Sequence, residues 1–288
     1  MKIIQPSVAL IDEKDPYKKI ELAGRTCYKS EDKITDTSAP KFVGMLINRG
    51  HLAMVEHAVF CFYTITNKVR AQELELQYRH PDEIHVTDTV ISNNEHRVII
   101  TANLRTMIEN NLVSLNEDYS INSFKFVTNE GMTLCDFETD IENKTSEEIL
   151  KHRYTTMRFI TDRGVTHELV RHRKCSPAQE STRYVNYTKG DMLFIEPAEY
   201  EKWNPQMKGC FLSSCSVAED NYRFMMEHGA VAQQARAVLP NAIKAELVIT
   251  TYDEEWRHIF ELRCDKAAHP DCRKIMLKAQ ELYNKIYR

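Results

Sequence analysis

The sequence predicts a single globular domain of mixed helix and strand, and three stretches carry that prediction. AVFCFYTIT (58–66) is apolar on both faces and rich in β-formers, the pattern of a buried central strand. Thr156–Thr161 alternates Met157, Phe159 and Thr161 with Thr156, Arg158 and Ile160, the two-residue period of a strand. His269-Pro270-Asp271 opens a final helix, in which Ile275, Ala279, Leu282 and Ile286 form a stripe at helical spacing. No linker rich in Pro, Gly or Ser divides the 288 residues, so one domain with an internal elaboration accounts for them.

The remaining elements follow in chain order. Residues 2–11 (KIIQPSVALI) predict a first strand. Asp15-Pro16 starts a helix, an N-cap acid before proline at the first helical position, and Ile20, Ala23 and Cys27 give its apolar face. Ser38–Asn48 is a second helix with Pro40 early, Phe42, Val43, Leu46 and Ile47 apolar, and Gly50 as its stop. Residues 67–150 combine polar turns (HPDEIH at 80–85, SNNEH at 92–96), a helix at Ala102–Asn110 and acid-rich connections around 136–148, and nothing there has the look of a chemical site. FKFVTNEGMT (124–133) resembles MRFITDRGVT (157–166), and both read as strand, turn and helix entry. Asp162-Arg163-Gly164 is turn chemistry, and Val165–Arg173 reads as a helix that leads into a loop broken by Pro177. MLFIEP (192–197) is a short extended piece. Ser216–Leu239 reads as helix, with Ala218, Tyr222, Met225 and Met226 apolar and a break at Gly229. ELVITTY (246–252) fits a strand or part of a long buried helix. DEEWRHIFELRC (253–264) is an amphipathic helix, acidic at its start and apolar at Trp256, Ile259, Phe260 and Leu262.

The totals exclude several classes. Hydrophobic content of 42% and charged content of 28% are those of a soluble globular protein. A net charge of −4 and a pI near 6.3 argue against general nucleic-acid or membrane-surface binding, which favours a basic field. There is no run of 18 apolar residues, and MKIIQPSVALIDEKD lacks the apolar core and cleavage site of a signal peptide. The eight cysteines form no Cys-x-x-Cys pair or zinc spacing, so reduced thiols and a cytoplasmic location are expected. Neither GxGxxG nor GxxxxGK[ST] occurs among only eight glycines.

Charge concentrates in one place. Nine Lys/Arg lie between Lys151 and Lys189 against three acids, a local +6, which points to an anionic ligand. On the predicted helix Glu168, Arg171 and His172 share a face. Arg171, His172 and Arg173 at its C-terminal end fit either dipole complementation on a solvated surface or one wall of an anion site. Ser181 and Arg183 in the following loop add a hydroxyl and a guanidinium, the components of a phosphate cradle. Arg236 and Arg263, each among apolar neighbours, are either snorkelling surface residues or partly buried anion clamps. His51, His57, His167 and His172 lack a paired metal-ligand spacing, so no metal is expected. Cys175 beside cations could be acidified, but a partly buried inert thiol accounts for it. No Ser/His/Asp or Cys/His nucleophile motif stands out.

RHRKCSPAQES (171–181), extended through Arg183-Tyr184, resembles the Arg-His-Arg-x7-Ser motif of flavin-dependent thymidylate synthases, the ThyX family. GRTCY (24–28) and GHLAMVEH (50–57) are similar to the family's N-terminal segments, and ARAVLP (235–240) and ELRCD (261–265) to its C-terminal ones. The resemblance covers about 1–65 and 152–288 and leaves 67–150 as an insertion. It implies an α+β fold with a central antiparallel sheet packed by helices, and a homotetramer whose active sites form where subunits meet. It also implies reductive methylation of dUMP to dTMP, with FAD as bound cofactor and NADPH and methylenetetrahydrofolate as co-substrates. Hydride would come from reduced flavin, without an enzyme nucleophile. Carried over by position, Glu168, Arg171, Gln179, Ser181, Arg183, Arg236 and Arg263 are expected at dUMP, with Arg263 catalytic through stabilisation of the ionised pyrimidine. His51, Arg171, His172, Arg173, Gln179, Tyr252 and His258 are expected at FAD. Glu168 stands where many members have glutamine, Ala53 replaces a threonine, and Tyr252 and His258 replace asparagines. A nucleotide- or RNA-binding protein without catalysis, and a flavoprotein acting on another pyrimidine nucleotide, are the competing readings.

Overall fold

Proline decides how the chain begins. The computed structural model describes residues 1–79, 84–141 and 150–287. The expected strand 2–11 is two, β1 (Lys2–Ile4) and β2 (Ser7–Leu10), which join different sheets on either side of Gln5-Pro6. Pro6 has no N–H to give to a ladder, so pairing lapses there. Helix α1 (Pro16–Tyr28) is capped by Asp15, whose carboxylate accepts the amides of Tyr17 and Lys18. Helix α2 (Ala39–Asn48) follows, and Gly50 beyond it takes the left-handed φ of +68° that releases the chain. Strand β3 (Val59–Thr66) is buried through its first half and open at Ile65.

Next come α3 (Lys68–Tyr78), β4 (Ile84–Ser92), β5 (Glu95–Asn103) and α4 (Leu104–Glu109). The expected helix 102–110 is therefore shorter, because Ala102 and Asn103 end a strand whose last side chain caps the helix through Thr106 N. Asn93-Asn94 makes the hairpin turn read from SNNEH. Of HPDEIH, residues 80–83 lie outside the described residues, as do 142–148 of the acid-rich connection. Strands β6 (Val113–Leu115) and β7 (Ile121–Phe124), helix α5 (Lys125–Thr128), β8 (Thr133–Cys135) and α6 (Phe137–Asp140) complete this part. The proposed likeness of 124–133 to 157–166 is not structural, since 125–128 is helix where 157–162 is strand.

The second half starts with β9 (Tyr154–Asp162), α7 (Arg163–Leu169) and β10 (Ser176–Gln179). Beyond β11 (Leu193–Ile195), helix α8 (Pro205–Glu227) begins well before the expected Ser216, because Asn204 caps it and Pro205 occupies its first position. Gly229 breaks it, leaving only α9 (Ala232–Ala235) and a single 3₁₀ turn before Pro240. ELVITTY resolves as strand: β12 (Lys244–Tyr252) is buried at all nine positions between two neighbours. Helices α10 (Asp253–Arg263) and α11 (Pro270–Tyr287) close the chain. The buried stripe of α11 is Cys272, Ile275, Met276, Ala279 and Tyr283, while Ile286 faces out.

The fold is mixed, with antiparallel four-stranded sheets in the order β10-β12-β9-β2 and β4-β5-β3-β8, a parallel pair β1-β11 and a hairpin β6-β7. Met157, Phe159, Leu247 and Ile249 pack with Trp256, Ile259 and Phe260 and with α11 under the first sheet. Trp256 is fully buried and donates its indole N–H to Thr155 O at 3.0 Å.

The two sheets repeat one unit. In each, a strand runs into a helix, a second strand follows, and a third strand inserts between them before its own helix: β3-α3-β4-β5-α4 and β9-α7-β10-β12-α10. The register is the same, since Val59 opposes Asn103 and Thr66 opposes His96 as Tyr154 opposes Tyr252 and Thr161 opposes Ala245. The helix caps also coincide: Asn67 accepts Arg70 N as Asp162 accepts Val165 N.

Candidate functional site

Helix α7 is the spine of the site. Asp162-Arg163-Gly164 is not a turn, because β9 passes straight into the helix with Asp162 as N-cap, accepting Val165 N at 2.9 Å. Gly164 permits this, since a Cβ there would meet Asp162 Oδ1 at 3.0 Å. The helix stops at Leu169 instead of reaching Arg173, and the amides of Arg171 and His172 turn back onto Glu168 O and Leu169 O. Glu168, Arg171 and His172 therefore do not share a helical face.

Arg263, from the end of α10, gathers two of them. Its Nη1 donates to Glu168 Oε2 at 2.9 Å, its Nη2 to Glu168 O at 2.9 Å, and its Nε to His172 Nε2 at 3.1 Å. A guanidinium only donates, so His172 Nε2 is the acceptor and the ring proton sits on Nδ1, 3.7 Å from Glu255 Oε1. Burial, then Arg263, then His258 push the His172 pKa down to about 4, which keeps the ring neutral. The His258 ring lies 6.2 Å away, edge to face. Arg171 and Arg173 project into solvent with no ion pair among the described residues.

At the other end of α7 lies a groove of about 480 Å³, lined by Arg163, Thr182, Gln233, Arg236 and Asn241 and by no carboxylate among the described residues. Arg236 Nη1 bonds to Thr182 Oγ1 at 3.3 Å. Arg163 Nη1 is buried with no hydrogen-bond partner among the described residues. A buried donor left unpaired costs about 1–3 kcal/mol, and an anion in the groove would satisfy it. The sequence reading missed Arg163 and Thr182; the one signal was that Arg163 belongs to the +6 stretch.

Between the two ends, Gln179 Nε2 donates to Thr166 Oγ1 at 2.7 Å and so ties β10 to α7. The loop after β10 presents Ser181, Thr182 and Arg183, with Ser181 N bonded to Cys27 O at 2.9 Å. Ser181 Oγ accepts Arg183 N at 3.3 Å, and Arg183 lies over the Tyr184 ring, which packs against Tyr28. Cys175 is inert, its pKa raised to about 12 by burial and then by Glu255.

Two expected residues stand apart. Tyr252 is buried against His85 and Tyr154, with ring centroids at 4.5 Å and 5.7 Å. His51 is exposed just past α2, on a turn whose Met54 touches Cys27 Sγ. A separate cavity of about 860 Å³, between the starts of β3 and β9, holds none of the expected residues. Among the described residues no helix is long and apolar enough to cross a membrane.

An α+β scaffold with arginines at both ends of one short helix forms the candidate site, of a kind suited to an anion. The sequence matches the family model "Thymidylate synthase complementing protein" (Thy1) over residues 9–79 and 89–287, and the chain belongs to that family. It is 32% identical over 120 residues to a flavin-dependent thymidylate synthase of Geobacter sulfurreducens, covering 42% of this chain and 51% of that one. Proteins of the same description from Corynebacterium efficiens (32% over 154 residues; 46% and 58% covered) and Pyrococcus abyssi (30% over 145; 47% and 56%) are also similar. The chain spans about half the length of the curated relatives it matches. Among solved structures, a UMP/dUMP methylase, PolB, from Streptomyces cacaoi bound with 5-Br UMP is similar at 18% identity and a TM-score of 0.42, over 49% of this chain and 72% of that one.

Proposed function

We propose that the chain is a flavin-dependent thymidylate synthase, methylating dUMP to dTMP with FAD as cofactor and NADPH and methylenetetrahydrofolate as co-substrates, and that it works as a cytoplasmic homotetramer. The observation that carries the reading is the spacing along α7. Arg163 and Glu168, which holds Arg263, are five residues apart on the helix, a separation of about 7.5 Å at 1.5 Å per residue. That places one guanidinium toward each end of the helix, one for the phosphate of a nucleoside monophosphate and one for its base. The names of the relatives support the same substrate and cofactor.

On this reading Arg163, Arg236 and Thr182 hold the phosphate, and Ser181, Arg183 and Gln179 line the sugar and base. Arg263 stands ready to stabilise negative charge that develops on the pyrimidine. Glu168 competes for the same guanidinium at 2.9 Å, so substrate must draw Arg263 partly away from it. The residues present fit a flavin: Arg171 and Arg173, exposed and without an ion pair among the described residues, suit its phosphates, and exposed His258, edge to face with neutral His172, offers one ring beside them. When bound, the flavin supplies the hydride and the folate the one-carbon unit. Neither Ser181, whose Oγ accepts a backbone amide, nor Cys175 with its raised pKa is set up to attack. The test is to purify the protein with added FAD and follow dUMP-dependent NADPH oxidation and dTMP formation with methylenetetrahydrofolate. A yellow protein that forms dTMP is expected. A colourless protein that takes up no FAD and forms no dTMP overturns the proposal.

A further inference from the structure

We infer that Glu180, Tyr187 and Lys244 form a buried clasp that sets the position of the Ser181–Arg183 loop, and so act as positioning residues for the nucleotide; this rests on the nucleotide reading above. Glu180 comes just before the loop and Tyr187 just after it, and Tyr187 OH donates to Glu180 Oε1 at 2.9 Å, closing the loop at its base. The other oxygen, Oε2, accepts Lys244 Nζ at 2.7 Å and the amide of Glu246 at 3.2 Å, which fastens the closed loop to the central strand β12. The backbone follows the same path, with Glu180 N on Glu246 O at 2.8 Å and Ser181 N on Cys27 O at 2.9 Å.

Glu180 is 2% exposed and Lys244 8%, so this is not a surface ion pair. A lone pair of opposite charges at that depth would scarcely recover its desolvation. Here the charges are shared: Glu246 Oε1 also takes Lys29 Nζ at 2.7 Å and Lys244 Nζ at 2.8 Å, and Arg158 binds its Oε2. Glu31 then takes Lys29 at 2.8 Å and Arg158 at 3.5 Å. Three carboxylates meet three cations, and the network is neutral as a whole. No member of the clasp lines the groove, although Tyr187 lies within electrostatic reach of Arg163. A network this expensive to bury, with its free end on one loop, is explained by the geometry it imposes there.

The test uses the full-length, FAD-loaded protein. Tyr187→Phe removes the closing hydroxyl without changing volume or leaving a charge unpaired. It should weaken dUMP binding, read by calorimetry, roughly tenfold, a loss typical of one hydrogen bond to a carboxylate. KM for dUMP should rise with kcat unchanged and FAD content near wild type, while Tm falls modestly because Glu180 Oε1 loses its buried donor. Lys244→Met should do more and lower Tm further, and Lys244→Arg should restore binding. A Tyr187→Phe protein that binds dUMP as wild type does overturns the clasp. Loss of FAD along with dUMP shows a merely structural role and also overturns it. A wild-type protein that binds FAD but no dUMP at any concentration overturns the nucleotide reading, and the clasp with it.

Discussion

The two units share strand order, register and the position of their first helix cap, yet among the described residues the candidate site lies on the second. Counted on from the shared register, Lys68 corresponds to Arg163, and Leu76, Gln77 and Tyr78 are as far along the chain as Arg171, His172 and Arg173. In the first unit helix α3 continues to Tyr78, and Tyr78 is sealed inside against Phe126 and Glu130. In the second, α7 stops at Leu169, and the chain it releases forms the cradle. Leu76, as far along as Arg171, is 83% exposed. The unit alone is therefore a scaffold. What converts it into a site is an early helix stop and the guanidiniums brought to it from α10 and from the turn after α9.

The largest effect should come from Arg263. On the proposed reading Arg263→Ala removes the group that would meet developing charge, and turnover should fall about 10²–10³-fold, the scale for losing one preorganised donor. dUMP affinity should fall less. Ser114→Ala, in strand β6 of the first half, should leave turnover unchanged. Steady-state and single-turnover rates beside dUMP titrations decide between the roles; a pure loss of dUMP binding with normal turnover would remove Arg263 from catalysis.

Arg163 comes next. Arg163→Met keeps the apolar stem and deletes the buried unpartnered nitrogen, so folding stability should hold or rise slightly. dUMP affinity should drop by about 1.5–3 kcal/mol, tenfold to a hundredfold, at unchanged kcat. Lys68→Met, at the same place in the first unit, should change neither. If Arg163→Met binds dUMP normally, the groove beside Arg236 is not where the phosphate sits.

Much of this was legible in the sequence because it is local. Asp15-Pro16, Gly50 and Gly229 announce their element ends through backbone chemistry that needs no partner. Leu247 and Ile249 mark a buried segment, but only pairing with β9 and β10 makes it strand and not helix. Arg163 was hidden because Asp-Arg-Gly satisfies turn rules. Only the backbone of Asn241 and Ile243, from far along the chain, accepts its amide and shows it to be the first residue of a helix. The cradle motif was readable as a resemblance, whereas its closure by Arg263 depends on α10 lying beside α7. The repeat was missed for the same reason: the units keep register and caps, while identical side chains are scattered, as at Ile65 and Ile160 or Glu73 and Glu168.

The pH dependence sharpens the contrast at His172, where the first unit, by the same count, has the non-titrating Gln77. Its pKa is about 4 in the fold, below the ordinary 6.5, chiefly through burial. Between those values the unfolded chain binds a proton that the native state refuses, so this contribution to stability is complete above 6.5 and is lost as pH falls toward 4. Protonated His172 could no longer accept Arg263 Nε. His172→Gln should flatten the rise of Tm across this window and keep an acceptor for Arg263. An unchanged slope in thermal melts would show that another group titrates there.

The smallest effects separate the two glutamates that the register makes equivalent. Glu168 neutralises Arg263 from a partly buried position, with 30% and 20% of the two side chains exposed. Glu168→Gln should leave Arg263 with its full charge for an incoming anion. dUMP should then bind more tightly by about 1 kcal/mol, roughly fivefold, the upper end for a pair so open to solvent. Glu73, at the same place in α3, pairs with Arg70 at 3.0 Å on an open surface. Glu73→Gln should shift stability by no more than about 0.5 kcal/mol and leave dUMP binding alone. Calorimetric titrations of both variants make the comparison. Weaker dUMP binding in Glu168→Gln would mean that the carboxylate bonds the nucleotide directly, and that its grip on Arg263 is a resting arrangement which substrate replaces.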